Sequence, residues 1–235
     1  KAKIKHGGTM AELKELVAQE ARPLPVILLL DVSGSMAGGK IQSLNLAVKE
    51  MLKTFSGSES IRAEIHVGII TFGDKASIHT KLQPASKIGF TEFMADGLTP
   101  MGEAFSICKS IVEDRDQIPS RAYRPSIILV TDGQPNDDGW EQKMHSFIHD
   151  GRSAKCFRWA LGIGDDCDET MLRLYLNSSD AKVFHAEDAT EIVNFFRYVT
   201  MSTVQQSKSA EPNKPVVQKS IPNLKDPFDP NAIRF

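Results

Sequence analysis

Cysteine is scarce in this chain, with three in 235 residues, at Cys108, Cys156 and Cys167. An odd number without the spacing of a metal site excludes a disulfide framework and points to reduced, structural thiols. Net charge is nearly absent as well. The 28 Lys and Arg against 30 Asp and Glu leave a formal −2, so no overall field draws the protein to nucleic acid or to an anionic membrane. Neither is expected as a partner. No apolar run approaches the ~20 residues of a bilayer-spanning helix, and no secretory signal pattern is apparent; the expected location is the cytoplasm. The six histidines do not gather with acids or cysteines. His145 and His149 share a helical face but lack the His-Glu-x-x-His phrase, so zinc is not expected there. No nucleophile–base pair can be assigned, and an enzyme is not expected.

What is present is an ordinary globular composition, 41% hydrophobic and 25% charged, and one pointed motif. Pro25-Val26-Ile27-Leu28-Leu29-Leu30 is an apolar run without polar alternation, which suits a strand buried on both faces. It ends in Asp31-Val32-Ser33-Gly34-Ser35. Alternate residues of an extended or looped backbone point the same way, so Asp31, Ser33 and Ser35 converge on one point. Oxygen donors without nitrogen or sulfur suit a hard divalent cation, magnesium first and manganese or calcium as alternatives. Gly34, between the serines, is read as the residue that lets the backbone turn tightly at the metal. Two further stretches complete the candidate site. Thr99, in Leu98-Thr99-Pro100-Met101-Gly102, precedes a helical pattern, and Asp132 closes the buried run Ser126-Ile127-Ile128-Leu129-Val130-Thr131. In an open α/β sheet the ligand crevice lies outside the carboxyl ends of the strands, which is where both aspartates fall.

These five positions (Asp31, Ser33, Ser35, Thr99 and Asp132) together resemble the metal-ion-dependent adhesion site of von Willebrand factor A domains, over roughly the first 200 residues. The phrases Leu29-Leu30-Asp31-Val32-Ser33-Gly34-Ser35-Met36 and Phe195-Phe196-Arg197-Tyr198-Val199 further resemble the TerY-like group linked to tellurite resistance. The resemblance implies a protein-binding module in which one aspartate reaches the cation through water. An Asp or Glu of another protein then completes the coordination. It also implies stress-response partners, a Ser/Thr protein kinase and a metal-dependent phosphatase.

In chain order, residues 1–9 are read as an appended leader before Met10, and Ala11 to Gln19 as a brief helix. Apolar residues from Ile41 to Phe55 recur at helical spacing. Ala63 to Phe72 reads as a strand, and Ala76 to Leu82 as its antiparallel edge partner. Helices are expected at Gly102 to Asp114, Trp140 to Ile148, Glu169 to Leu176 and Thr190 to Val204. Strands are expected at Cys156 to Ile163 and at Val183 to His185. His66 and His185, both in strand patterns, are read as core histidines. Alternating strands and helices predict a doubly wound, Rossmann-like α/β fold, mostly parallel with one antiparallel edge strand and helices on both faces. The domain is expected over residues 10–204. Residues 205–235, with five of the 12 prolines, are read as a Pro-rich tail.

Rival readings compete for the same residues. Gly34 to Ile41 fits a phosphate loop except at its last position, where Ile41 replaces the magnesium-binding hydroxyl, which leaves nucleotide hydrolysis as an alternative function. Scaffolding through the Pro-rich tail is another. The hydroxyls of Ser35 and Thr99 also sit where helix caps are wanted. Gly162-Ile163-Gly164 begins like a dinucleotide fingerprint but reads as a tight turn, followed by Asp165, Asp166 and Asp168 as helix-capping carboxylates rather than a second cation site.

Overall fold

The computed structural model describes residues 21–58 and 60–214. The leader, the helix read at Ala11 to Gln19 and most of the Pro-rich tail lie outside these residues. Six strands form one sheet: β1 (Arg22–Asp31), β2 (Ala63–Phe72), β3 (Ala76–Pro84), β4 (Ser126–Thr131), β5 (Phe157–Ile163) and β6 (Val183–Ala186). Their order is β3-β2-β1-β4-β5-β6, all parallel except the edge pair of β2 with β3. Among the described residues five α-helices cover it: α1 (Gly39–Ser56), α2 (Met101–Glu113), α3 (Trp140–His149), α4 (Glu169–Leu176) and α5 (Ala189–Lys208). The doubly wound, mostly parallel sheet with one antiparallel edge is therefore the observed fold.

The apolar run of β1 explains its central place. Leu24, Val26, Leu28 and Leu30 enter a core beneath α1 and α5, whereas Ile27 and Leu29 enter a second core beneath α2, α3 and α4. A strand with nothing polar on either face can only sit between two layers. The second core holds a stack of Phe105, Phe147 and Tyr175, with ring centroids 5.6 to 6.3 Å apart and nearly parallel planes. Phe105, Cys108 and Val112 form the inward face of α2, as expected.

Two expectations differ from the structure. His185 is exposed, because β6 is the outer strand and alternates buried Phe184 and Ala186 with an outward residue. The last helix, read as Thr190 to Val204, is α5 and runs from Ala189 to Lys208, with Gln206 and Ser207 buried. The chain beyond is tied back, since Gln206 Nε2 donates to the Pro212 carbonyl at 2.6 Å and Arg124 N–H donates to Asn213 Oδ1 at 2.8 Å.

Candidate metal centre

The parallel register sets the site. Leu30 of β1 pairs with Val130 of β4, so the next residues, Asp31 and Thr131, end side by side at the carboxyl edge. Thr131 Oγ1 donates to Asp31 Oδ2 at 2.5 Å, and the backbone N–H of Ser33 donates to Asp31 Oδ1 at 2.9 Å. Asp31 is fully buried. Burial pushes its carboxyl above the usual carboxylate range, opposed by the hydrogen bonds from Ser33 and Thr131, while the nearby Asp132 charge adds to the rise.

From Ser33 a line of oxygens crosses to β4. Ser33 Oγ and Ser35 Oγ are 3.0 Å apart, and Ser35 Oγ donates to Asp132 Oδ1 at 2.7 Å. The other oxygen of Asp132, Oδ2, accepts from Lys40 Nζ at 2.6 Å. Asp132 is buried and Ser35 is exposed at the rim.

Thr99 is brought in by the loop before α2. Asp96 N–H donates to the Val32 carbonyl at 2.8 Å and Gly34 N–H donates to the Gly97 carbonyl at 3.0 Å, lashing this loop to the serine loop. Gly97 has φ +77°, and a Cβ there would collide with the backbone of Asp74, so only glycine allows the close approach. Asn136, from the loop after β4, clamps Thr99 from the other side through its side chain (3.1 Å to Thr99 N) and its own N–H (3.2 Å to Thr99 O). The Thr99 hydroxyl is 3.7 Å from where a Cβ on Gly133 would stand. That hydroxyl has no hydrogen-bond partner among the described residues. Sequence and fold thus gather the five candidate residues from three loops at one edge of the sheet.

The capping alternative does not describe these hydroxyls. Ser33 precedes the single 3-10 turn Gly34–Met36 without a side-chain cap, Gly38, not Ser35, holds the N-cap position of α1, and Pro100, not Thr99, holds that of α2. The first N–H groups of α2 are capped in trans by Asp137, to Gly102 at 2.9 Å and Glu103 at 3.0 Å. The phosphate-loop reading loses part of its cradle, because the N–H groups of Gly34, Met36 and Ala37 already donate to the Gly97, Ser33 and Gly34 carbonyls, and Ile41 stands where the magnesium-binding hydroxyl belongs. Gly34 also differs from its expected role, because its φ is not positive and a Cβ would only touch the Gly97 carbonyl at 3.6 Å. The left-handed turn falls at Gly38, φ +82°. Further along, Asp168 does cap α4, accepting from Met171 N–H at 2.9 Å.

The donor set fits a hard divalent cation: two carboxylates, three hydroxyls, no sulfur or imidazole. Among the described residues no three His, Cys, Asp or Glu side chains come together as a metal cluster; a site built mainly of hydroxyl oxygens is outside that description. Lys40, Asn136 and Asp137 are the contributors that sequence reasoning did not assign. No helix among the described residues is long and apolar enough to cross a membrane.

Comparison with known proteins agrees with the fold. Human inter-alpha-trypsin inhibitor heavy chain H6 is 28% identical over 162 residues, which is 63% of this chain but only 12% of that protein. The von Willebrand factor type A protein from Catenulispora acidiphila superposes with a TM-score of 0.59 at 21% identity, over 77% of this chain and 42% of that one. Proximal thread matrix protein 1 from the mussel byssus, with a zinc-occupied MIDAS motif, superposes at 0.58 with 16% identity, over 79% and 48% of the two chains. The chain thus spans less than half of each of these relatives. Residues 26–197 match the family model of the von Willebrand factor type A domain, and the protein belongs to that family.

Proposed function

We propose that this domain is a metal-dependent protein-binding module whose partner supplies an Asp or Glu carboxylate to a divalent cation held by Asp31, Ser33, Ser35, Thr99 and Asp132. The observation that carries the reading is the hydrogen-bonded line from Ser33 through Ser35 to Asp132, with the Thr99 hydroxyl facing Gly133, the residue after Asp132. The cation would be magnesium, with manganese or calcium as substitutes, and it supplies a Lewis-acidic position for an external oxygen. The zinc-occupied site of the mussel protein supports a divalent ion in this place. Asp31 has both oxygens engaged by Ser33 and Thr131, which suits a carboxylate acting through water rather than directly.

The chain's own residues orient and hold rather than react. Ser35 donates to Asp132 and Thr131 to Asp31, contacts that aim the carboxylates within the proposed cation site, so the reading is binding. The setting we propose is a cytoplasmic, TerY-like stress-response or tellurite-resistance system, with a Ser/Thr protein kinase and a metal-dependent phosphatase as partners. Binding to each, measured with magnesium and with chelator, tests this. Affinity should depend on magnesium in the wild type and fall at least tenfold in Thr99→Ala. Equal affinity in all four conditions overturns the reading.

A further inference from the structure

Lys40 is placed against local preference. It occupies the first turn of α1, whose first turn carries no acidic residue. A cation at a helix N-terminus opposes the helix dipole. What holds it there is Asp132, whose buried carboxylate is 2.6 Å from the ammonium, while the lysine side chain itself stays 39% exposed. Nearby, Lys143 is engaged instead by Asp137 at 3.0 Å. Lys40 is therefore a tethered monovalent cation on one of the two carboxylates of the proposed metal site.

We infer that Lys40 tunes this centre by competing with the divalent ion for Asp132, trading cation affinity for a stronger pull on an external carboxylate. The inference rests on the metal reading above and concerns its charge balance. Two carboxylates and a divalent ion sum to zero. With the ammonium beside them the filled site carries one positive charge. The same lysine that repels the entering ion therefore leaves the loaded centre short of one negative charge, and an acidic side chain of the partner provides it. Both effects come from a single charge at short range, so they have opposite signs and comparable size.

Magnesium and manganese affinities of wild type, Lys40→Met and Lys40→Arg, measured by isothermal titration with and without added sodium acetate, test this. Without acetate, K40M should bind either ion about tenfold more tightly than wild type, and K40R, which keeps the charge, should bind within about threefold of wild type. Acetate should raise cation affinity by a larger factor in wild type than in K40M, because ligands that favour each other do so reciprocally. Equal cation affinities in wild type and K40M overturn the role of Lys40 and leave the metal site standing. Absence of binding in every protein, each folded by circular dichroism, overturns the metal site and this inference together.

Discussion

Replacing Asp132 by alanine separates the fold from the site. Among the described residues the Asp132 side chain meets Ser35 at 2.7 Å and Lys40 at 2.6 Å. Ser35 is exposed and the Lys40 side chain is 39% exposed, so both can turn to water when the carboxylate is removed. The ion pair is accordingly worth no more than about 1 kcal/mol, and the removed carboxylate was itself buried at some desolvation cost. D132A should therefore change cation-free stability by about 1 kcal/mol or less. Cation binding is another matter, since one of two anionic ligands is gone. A loss of about 100-fold, or ~2.7 kcal/mol, is the expected scale. At a magnesium concentration 100 times the wild-type Kd, wild type gains about 2.7 kcal/mol, which raises Tm by about 5–10 °C for a domain of this size. At the same concentration D132A sits near its own Kd and gains only about 0.4 kcal/mol, a shift of about 1 °C. Differential scanning calorimetry with magnesium and with chelator reads all four values. A magnesium shift in D132A equal to that of wild type refutes the assignment. So does a cation-free D132A destabilised by several kcal/mol, because Asp132 would then be a structural residue.

Two further predictions concern the loop that delivers Thr99. Gly97→Ala adds a Cβ into the Asp74 backbone at φ +77°; urea unfolding should show a loss of about 1–3 kcal/mol together with weakened magnesium binding, and an undisturbed variant would mean the loop is not lashed as described. His79 packs edge-on against Phe93 of this loop at 4.8 Å, and burial lowers its imidazole below the ordinary range. Its contribution is full above the ordinary histidine value, about 6.5, and is lost as pH falls through the lowered folded value. Denaturant midpoints from pH 7 to 5 should therefore fall more steeply in wild type than in His79→Gln, and parallel curves would reject the assignment.

The elements with uninterrupted signals were legible to the residue. Ala63–Phe72, Ser126–Thr131 and Glu169–Leu176 begin and end where β-branched or periodic apolar residues do. The convergence of Asp31 and Asp132 was legible because both stand at strand ends, and strand ends in a parallel sheet share one edge, whereas Thr99 arrives on the loop before α2. The end of α5 was not legible. Its last turns bury Ser202, Thr203, Gln206 and Ser207, residues that carry no apolar period. Tertiary packing, not propensity, sustains that helix. The exposure of His185 depended on β6 being outermost, which the strand order decides and the local pattern does not. Lys40 with Asp132 is the instructive omission. The two are 92 positions apart, and within its own stretch Lys40 reads more readily as part of a phosphate loop than as a counter-ion. Asp137 is similar: it caps α2 from across the crevice, with its signal displaced from the helix it serves.

The most direct test of the central claim is an anomalous difference map from crystals grown with manganese. One strong peak is expected among the side chains of Ser33, Ser35, Thr99 and Asp132, with the Lys40 ammonium moved or weakened on Asp132. A well-diffracting crystal at saturating manganese that shows no peak there, and Lys40 still on Asp132, contradicts that claim.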